Sequence, residues 1–256
     1  MKLYGDYHTH TIYSRNHHGK NTIEQNVKVA VEKGLKEIGI TEHGFNHVCY
    51  GVRRKNIKKM RAEIDRLNKI YPIKIYLGIE ANLISSQGDI DLTEEEQKWF
   101  DYVVMGYHKM ARPKNIKEYF GFFRRNARAY RHNSYTKEII DANTNAYIMA
   151  LKKNRINIIS HISSKMKVDV VRVAKECQKT GTLIEINGRR ICFEDSEIEQ
   201  LIQMKTKFII DSDAHRACNV GECNYPTNYA LMHNIPFELV TNMDKKPEFV
   251  WRKDEF

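Results

Sequence analysis

Short apolar runs alternate with amphipathic stretches along most of the chain, and polar loops separate them. The apolar runs at 2–7, 37–41, 73–79, 102–105, 157–160, 182–186 and 207–210 are rich in Ile, Val and Tyr, as strands buried on both faces of a parallel sheet tend to be. Helical spacing appears between them. Residues 23–33 put Ile23, Val27, Ala30 and Val31 on one face and stop at Gly34, a residue suited to end a helix. Thr93, with Glu96 three positions on, forms a capping-box signature for a helix reaching Trp99. The stretches 168–179, before Gly181, and 196–205 have the same style. Repeated strand–helix alternation predicts parallel strands joined by helical crossovers. Periodicity alone leaves both an open doubly wound sheet and a closed barrel available.

One stretch breaks this rhythm. Residues 112–136 are basic and carry Tyr119, Phe120, Phe122, Phe123, Tyr130 and Tyr135, which predicts a helical insertion after the fourth strand. From Lys109 to Lys137 the only acid is Glu118, set among Lys109, Arg112, Lys114, Lys117, Arg124, Arg125, Arg128 and Arg131. Such a stretch either attracts phosphates or nucleic acid, or is a solvated helical face. Exposed rings there would also suit a contact between copies in a homo-oligomer.

The chain has 256 residues, and no Gly/Ser/Pro-rich linker divides it, so one domain over 1–256 is expected. A 41% hydrophobic and 29% charged composition is that of a water-soluble globular protein. No apolar run approaches the roughly 18–20 residues needed to cross a bilayer, which argues against a membrane protein. Asp6 interrupts the N-terminal segment before an apolar signal core can form, so a cytoplasmic protein is expected. The five cysteines include no CxxC pair. A zinc-thiolate site from Cys218 and Cys223 near His215 is one reading, and unpaired thiols in a reducing compartment are the better one.

The residues that carry chemistry gather at strand ends. In order they are Asp6-Tyr7-His8-Thr9-His10, Glu42-His43, Glu80, His108, His161, Glu185 and Asp211-Ser212-Asp213-Ala214-His215. In parallel α/β folds the C-terminal ends of the strands share one face, where sites are built. Single histidines at such places are more often satisfied polar groups than ligands. His8 and His10, two apart on an extended segment, point the same way and suit one cation, and Asp213 with His215 repeats that spacing. Imidazole and carboxylate donors without thiolate suit Zn, Mn or Fe. More donors than one tetrahedral ion needs imply a multinuclear site, the apparatus of phosphate-ester hydrolysis. A binding module with purely structural metals would need fewer ligands.

These residues resemble a known family. His8-Thr9-His10, Thr41-Glu42-His43-Gly44, Gly78-Ile79-Glu80-Ala81-Asn82, Gly106-Tyr107-His108, Ile159-Ser160-His161 and Ser212-Asp213-Ala214-His215 follow in order the motifs of the PHP (polymerase and histidinol phosphatase) superfamily, over nearly the whole chain. The resemblance implies an α/β fold, a distorted (β/α)7 TIM-like barrel, with two or three divalent metals, zinc foremost, at its C-terminal face. One metal would take His8, His10, Glu80 and Asp213, and a second Glu80, His108 and His161. A third would take His43, His215 and a first-loop histidine, His18 or alternatively His17. Glu42 stands where the family often has Asp. The implied activity is hydrolysis of a small phosphomonoester through a hydroxide bridging the metals, in which Glu80 and Asp213 are essential and Arg216 holds the phosphate. Lys109, Arg189 and Arg190 are further candidates for that last role. Alternatives are a histidinol-phosphate phosphatase, or a phosphodiesterase or exonuclease that binds nucleic acid on the basic insertion.

Overall fold

A computed structural model describes residues 2–249. Seven parallel strands run in chain order: β1 Gly5–Thr9, β2 Glu37–His43, β3 Lys74–Asn82, β4 Tyr102–Gly106, β5 Ile158–Ile159, β6 Leu183–Asn187 and β7 Phe208–Asp211. The helices are α1 Ile23–Glu32, α2 Arg54–Leu67, α3 Glu94–Gln97, α4 Ile116–Glu118, α5 Arg124–His132, α6 Lys137–Lys153, α7 Val170–Thr180, α8 Asp195–Gln203 and α9 Asn224–Met232. Each strand pairs with the next, and the sheet curls until β7 meets β1, so the choice left open by periodicity falls to a nearly closed barrel.

The seam is unusual because side-chain carboxylates replace ladder bonds there. A bridge joins Thr9 to Ala214, and the His10 amide donates to the Ala214 carbonyl at 2.8 Å. Below it, Asp211 accepts from the Tyr7 amide at 2.6 Å, and Asp6 accepts from the Ser212 amide at 3.1 Å. Burial pushes both carboxyls above the usual range, Asp211 further because Asp6 lies beside it.

Two apolar layers follow from strand alternation. Ile38, Ile40, Ile75, Leu77, Ile79, Val103 and Met105 belong to the large cluster that includes the buried faces of the helices. The other set lies inside the barrel, where Tyr7, Tyr102, Val104, Ile158, Leu183, Ile209 and Phe249 form a separate cluster. Tyr102 spans the interior and donates to the Tyr7 carbonyl at 2.6 Å. It passes over Gly39, where a Cβ would fall 1.7 Å from its hydroxyl oxygen. Glycine at that position is therefore a packing requirement.

The predicted elements differ from the observed ones in instructive places. β1 begins at Gly5 rather than residue 2, because its pairing with β2 starts at Gly5 opposite Glu37. β2 and β3 extend through His43 and Asn82, which pair in register (His43 opposite Glu80), so these donors lie within strands rather than beyond them. The insertion is helical as expected: α4, a π-helical turn Tyr119–Phe123, and α5. It precedes α6, the crossover helix to β5. The capping box at Thr93 and Glu96 forms, and Gly34 and Gly181 follow α1 and α7 with φ of 77° and 71°. No helix among the described residues is long and apolar enough to cross a membrane.

Candidate metal centre

Glu80 is the centre of the site. It sits on the inward side of β3, buried, and four imidazoles converge on its carboxylate. His161 Nε2 lies 2.9 Å, His108 Nε2 3.3 Å and His8 Nε2 3.5 Å from Oε1, while His43 Nδ1 lies 2.7 Å from Oε2. His10 Nε2 stands 3.7 Å from Oε2 and 3.5 Å from Asp213 Oδ1. Gly106 makes this convergence possible, since a Cβ there would meet the His161 ring at 2.8 Å and Glu80 Oε1 at 3.3 Å.

The donors fall into three overlapping groups: His10, His43 and His215; His8, His10 and Asp213; and His43, Glu80 and His108. One atom from each member lies within 4.8 Å of the others in its group. The two first-loop histidines lie in different places. His18 Nε2 approaches His215 Nε2 at 2.7 Å, its ring stacked on Tyr50 at 3.8 Å, whereas His17 is exposed and outside the cavity wall.

The pairing of these atoms tests whether the residues suit metal. Both ring nitrogens of His10, the Nε2 of His8 and the Nε2 of His43 are buried without a hydrogen-bond partner, and the 2.7 Å approach of His43 Nδ1 to Glu80 Oε2 lacks hydrogen-bond geometry. Buried polar atoms are rarely left so, because each costs on the order of 1–3 kcal/mol. Their protonation suits ligation too. Burial holds His43 and His215 down at about 4 and His10 well below the ordinary range, so their rings are neutral near pH 7. Burial opposes the ionisation of Glu80 and Asp213, but the surrounding imidazoles, His108 for Glu80 and His8 for Asp213, hold both carboxyls well below the usual range. His8 and His161 differ: burial opposes their charge, but Glu185 and Glu80 raise His8 well above the ordinary imidazole range and Glu80 raises His161, so these two rings would give up a proton on binding a cation. Imidazole beside carboxylate is a metal-binding donor set.

Outer partners aim the rings. Glu185 Oε1 lies 2.6 Å from His8 Nδ1, and its other oxygen takes the His161 amide at 2.8 Å and the Asn187 side chain at 2.8 Å. Asn82 Oδ1 takes His108 Nδ1 at 2.8 Å. Each contact leaves Nε2 of its histidine facing inward. Glu42 turns away from the donors and accepts from the Thr11 amide at 2.8 Å and from the Thr11 and Ser14 hydroxyls, which fixes the loop leading to His18.

The extended i, i+2 geometry holds for His8 and His10, whose rings lie 5.2 Å apart. It does not hold for Asp213 and His215. Asp213 takes a left-handed φ of 52° and His161 one of 27°, conformations costing on the order of 1 kcal/mol or more outside glycine. A left-handed turn, rather than extended backbone, brings His215 back over Asp213, with Nδ1 3.4 Å from Oδ1.

A cavity of about 310 Å³ opens over the donors and is lined by His18, His43, His47, Tyr50, His108, Lys109, His161, Lys165, Arg189, Arg190, Asp213 and His215. Arg189 Nη1 lies 3.0 Å from His215 Nδ1 and 3.7 Å from Asp213. Arg216, expected to hold phosphate, is exposed and outside that lining, because the chain turns outward after His215. Sequence reasoning did not single out His47, Tyr50 or Lys165. His47 follows His43 by four residues and stacks on it at 4.8 Å, a spacing that could have flagged it, whereas nothing local marks Lys165. No donor group among the described residues contains cysteine; Cys218 is exposed and Cys223 buried, so the zinc-thiolate alternative finds no support. A slightly larger hollow of about 390 Å³ beside Cys177, Thr206 and Lys245 holds none of the donors.

The PHP domain family model matches residues 6–212. The chain belongs to the PHP domain family. Among its relatives, a protein named probable phosphatase from Clostridium acetobutylicum is 27% identical, the match covering 96% of this chain and 93% of that protein. One of the same name from Caldanaerobacter subterraneus is 29% identical, over 99% of this chain and 93% of that one. The fold is similar to the crystal structure of a histidinol phosphate phosphatase from Lactococcus lactis complexed with zinc, L-histidinol and phosphate. That likeness has a TM-score of 0.56 at 16% identity and covers 90% of this chain and 94% of the other.

Proposed function

We propose that this PHP protein, a metal-dependent phosphoric ester hydrolase, acts on a small phosphomonoester with two or three divalent cations, zinc first among them. The observation that carries the reading is the set of buried, partnerless donors on His8, His10 and His43 around Glu80, beside a cavity whose wall includes His43, His108, His161, Asp213 and His215. His8, His10, Glu80 and Asp213 would hold one cation, Glu80, His108 and His161 a second, and His18, His43 and His215 a third. Cations bound there supply a water of lowered pKa and neutralise phosphoryl oxygens. Zinc is favoured by the imidazole–carboxylate donor set and by its presence in the Lactococcus phosphatase.

The remaining work falls to the protein's own groups. Glu185 and Asn82 hold His8 and His108 with Nε2 inward, so the cage is formed before substrate arrives. Arg189, over His215 and Asp213, is placed to bind a phosphate oxygen in the fork geometry of a guanidinium. A small substrate is favoured over a nucleic-acid strand by how the insertion spends its rings. Phe122 and Phe123 are buried against Tyr107, Tyr135 donates to the Lys165 carbonyl, and Tyr130 is occupied by lysines. Tyr119 and Phe120 alone remain as exposed rings of the insertion without such a role.

Elemental analysis of the purified protein, combined with hydrolysis of p-nitrophenyl phosphate and bis-p-nitrophenyl phosphate, tests this. The expected result is two or more transition-metal ions per chain and turnover of the monoester well above the diester. Metal-free protein that binds none, or a preference for the diester, would overturn it.

A further inference from the structure

We infer that the substrate carries a second anionic group besides the scissile phosphate, and that Lys109 and Lys165, mounted on Tyr130 of the insertion, receive it. This rests on the phosphomonoesterase reading and narrows it to a substrate class. Four cations line the cavity: Lys109, Lys165, Arg189 and Arg190. Among the described residues its only lining carboxylate is Asp213, which lies 3.8 and 3.5 Å from His8 and His10 and 3.7 Å from Arg189. Arg189 lies over the donors and belongs to the reacting phosphate. The two lysines form a separate pair.

Their arrangement is the deciding observation. Lys109 Nζ sits 3.1 Å above the Tyr130 ring centroid, and Lys165 Nζ lies 4.9 Å from the same centroid while donating to the Tyr130 hydroxyl at 2.8 Å. One neutral ring thus gathers two ammonium groups. A ring face attracts a cation but carries no net charge with which to neutralise two. Some cations elsewhere on the surface are paired with carboxylates: Lys114 on Asp89 at 2.9 Å, Lys167 on Glu194 at 2.9 Å, Arg172 on Asp141 at 2.6 Å. No carboxylate pairs with Lys109, Lys165 or Arg190 among the described residues. Clustered cations at a cavity mouth are the electrostatic complement of an anion that arrives with the ligand.

This also gives the insertion a task. Tyr130 lies on α5 and, without lining the cavity itself, sets Lys109, just after β4, against Lys165, from the loop after β5, both of which do line it. A substrate whose distal end is cationic would meet repulsion there. Phosphate and carboxylate share the chemistry that these lysines recognise.

The test uses metal-loaded protein and four matched esters: butane-1,4-diol monophosphate, its bisphosphate, 4-phosphooxybutanoate and 4-aminobutyl phosphate. The bisphosphate or the carboxylate should exceed the monophosphate in kcat/KM by about tenfold or more, chiefly through KM, and 4-aminobutyl phosphate should fall below it, as expected for charge-assisted contacts. Whichever of the two esters with a distal anion gains more identifies the distal group as phosphate or carboxylate. In the variant combining Lys109→Ala and Lys165→Ala the ratio to monophosphate should fall toward unity, and Lys165→Glu should favour 4-aminobutyl phosphate. Tyr130→Leu should reduce the ratio through KM with kcat retained. Wild-type protein that hydrolyses all four esters without preference overturns this inference and leaves the phosphomonoesterase reading standing, a comparison that needs no variant. A preference that survives loss of both lysines assigns it to other residues and also overturns it. Failure to hydrolyse any of the esters would sink the earlier reading and this one together.

Discussion

The two ends of the barrel interior handle buried polar groups in opposite ways. At the N-terminal end every group of the network finds a protein partner. The Tyr7 hydroxyl donates to Glu37 Oε2 at 2.7 Å, that of Tyr76 to Glu37 Oε1 at 3.1 Å, Lys246 pairs with Glu37 at 3.1 Å, and Tyr102 bonds the Tyr7 carbonyl. Phe249 stacks on Tyr102 at 5.3 Å and closes that end. At the C-terminal end, imidazole nitrogens on His8, His10 and His43 have no partner. Both ends bury polar chemistry, yet the groups of one are paired within the chain and the donors of the other stand unpaired beside the cavity. On the proposed reading the closed end contributes stability and the open end function, in keeping with how barrels divide these roles.

Three substitutions probe that contrast. Glu80→Gln should have the largest effect, because the carboxylate faces four imidazoles. Turnover should fall by on the order of 10³-fold or more, with metal content by elemental analysis reduced alongside it. Wild-type turnover from this variant would dismantle the ligand assignment. Glu185→Gln should come next. The His8 ring loses its charged partner but keeps its place, so metal affinity measured by competition with a chelator should drop about 10- to 100-fold, and added metal should restore much of the activity. Tyr102→Phe at the closed end should act differently, lowering stability to urea by about 1–2 kcal/mol through the lost bond to the Tyr7 carbonyl with kcat/KM unchanged. Loss of activity in that variant at full folding would mean that the two ends are coupled and the division is wrong.

Much of the fold is legible in the sequence because burial on both faces forces short apolar strands. All seven predicted strands appear, with shifted ends, and helices fill most of the gaps. The helix α2 is absent from the elements predicted above, although Ile57, Met60, Ile64 and Leu67, its buried residues, recur at helical spacing. Its other positions are so heavily charged that the stripe is hard to see against them. α6 is similar, since Asn143 and Thr144 are buried within it and blur the apolar face. Asn143 is held by Asn126 of α5 at 2.7 and 2.8 Å, a contact between two helices that no local pattern announces.

The candidate ligands were legible for a simpler reason. Parallel strands in chain order must present their C-terminal ends on one face, so histidines and acids at those ends meet wherever the strands close into a barrel. Sequence alone therefore determined the strand succession, the donor types and the chemistry they permit. Tertiary structure alone decided which loop histidine joins them, that Arg189 rather than Arg216 faces the cavity, and that Tyr130 carries Lys109 and Lys165 together. Those outcomes depend on left-handed turns, loop paths and side-chain reach across residues distant in the chain. Spacing along a sequence carries no information about such distances until the barrel has closed.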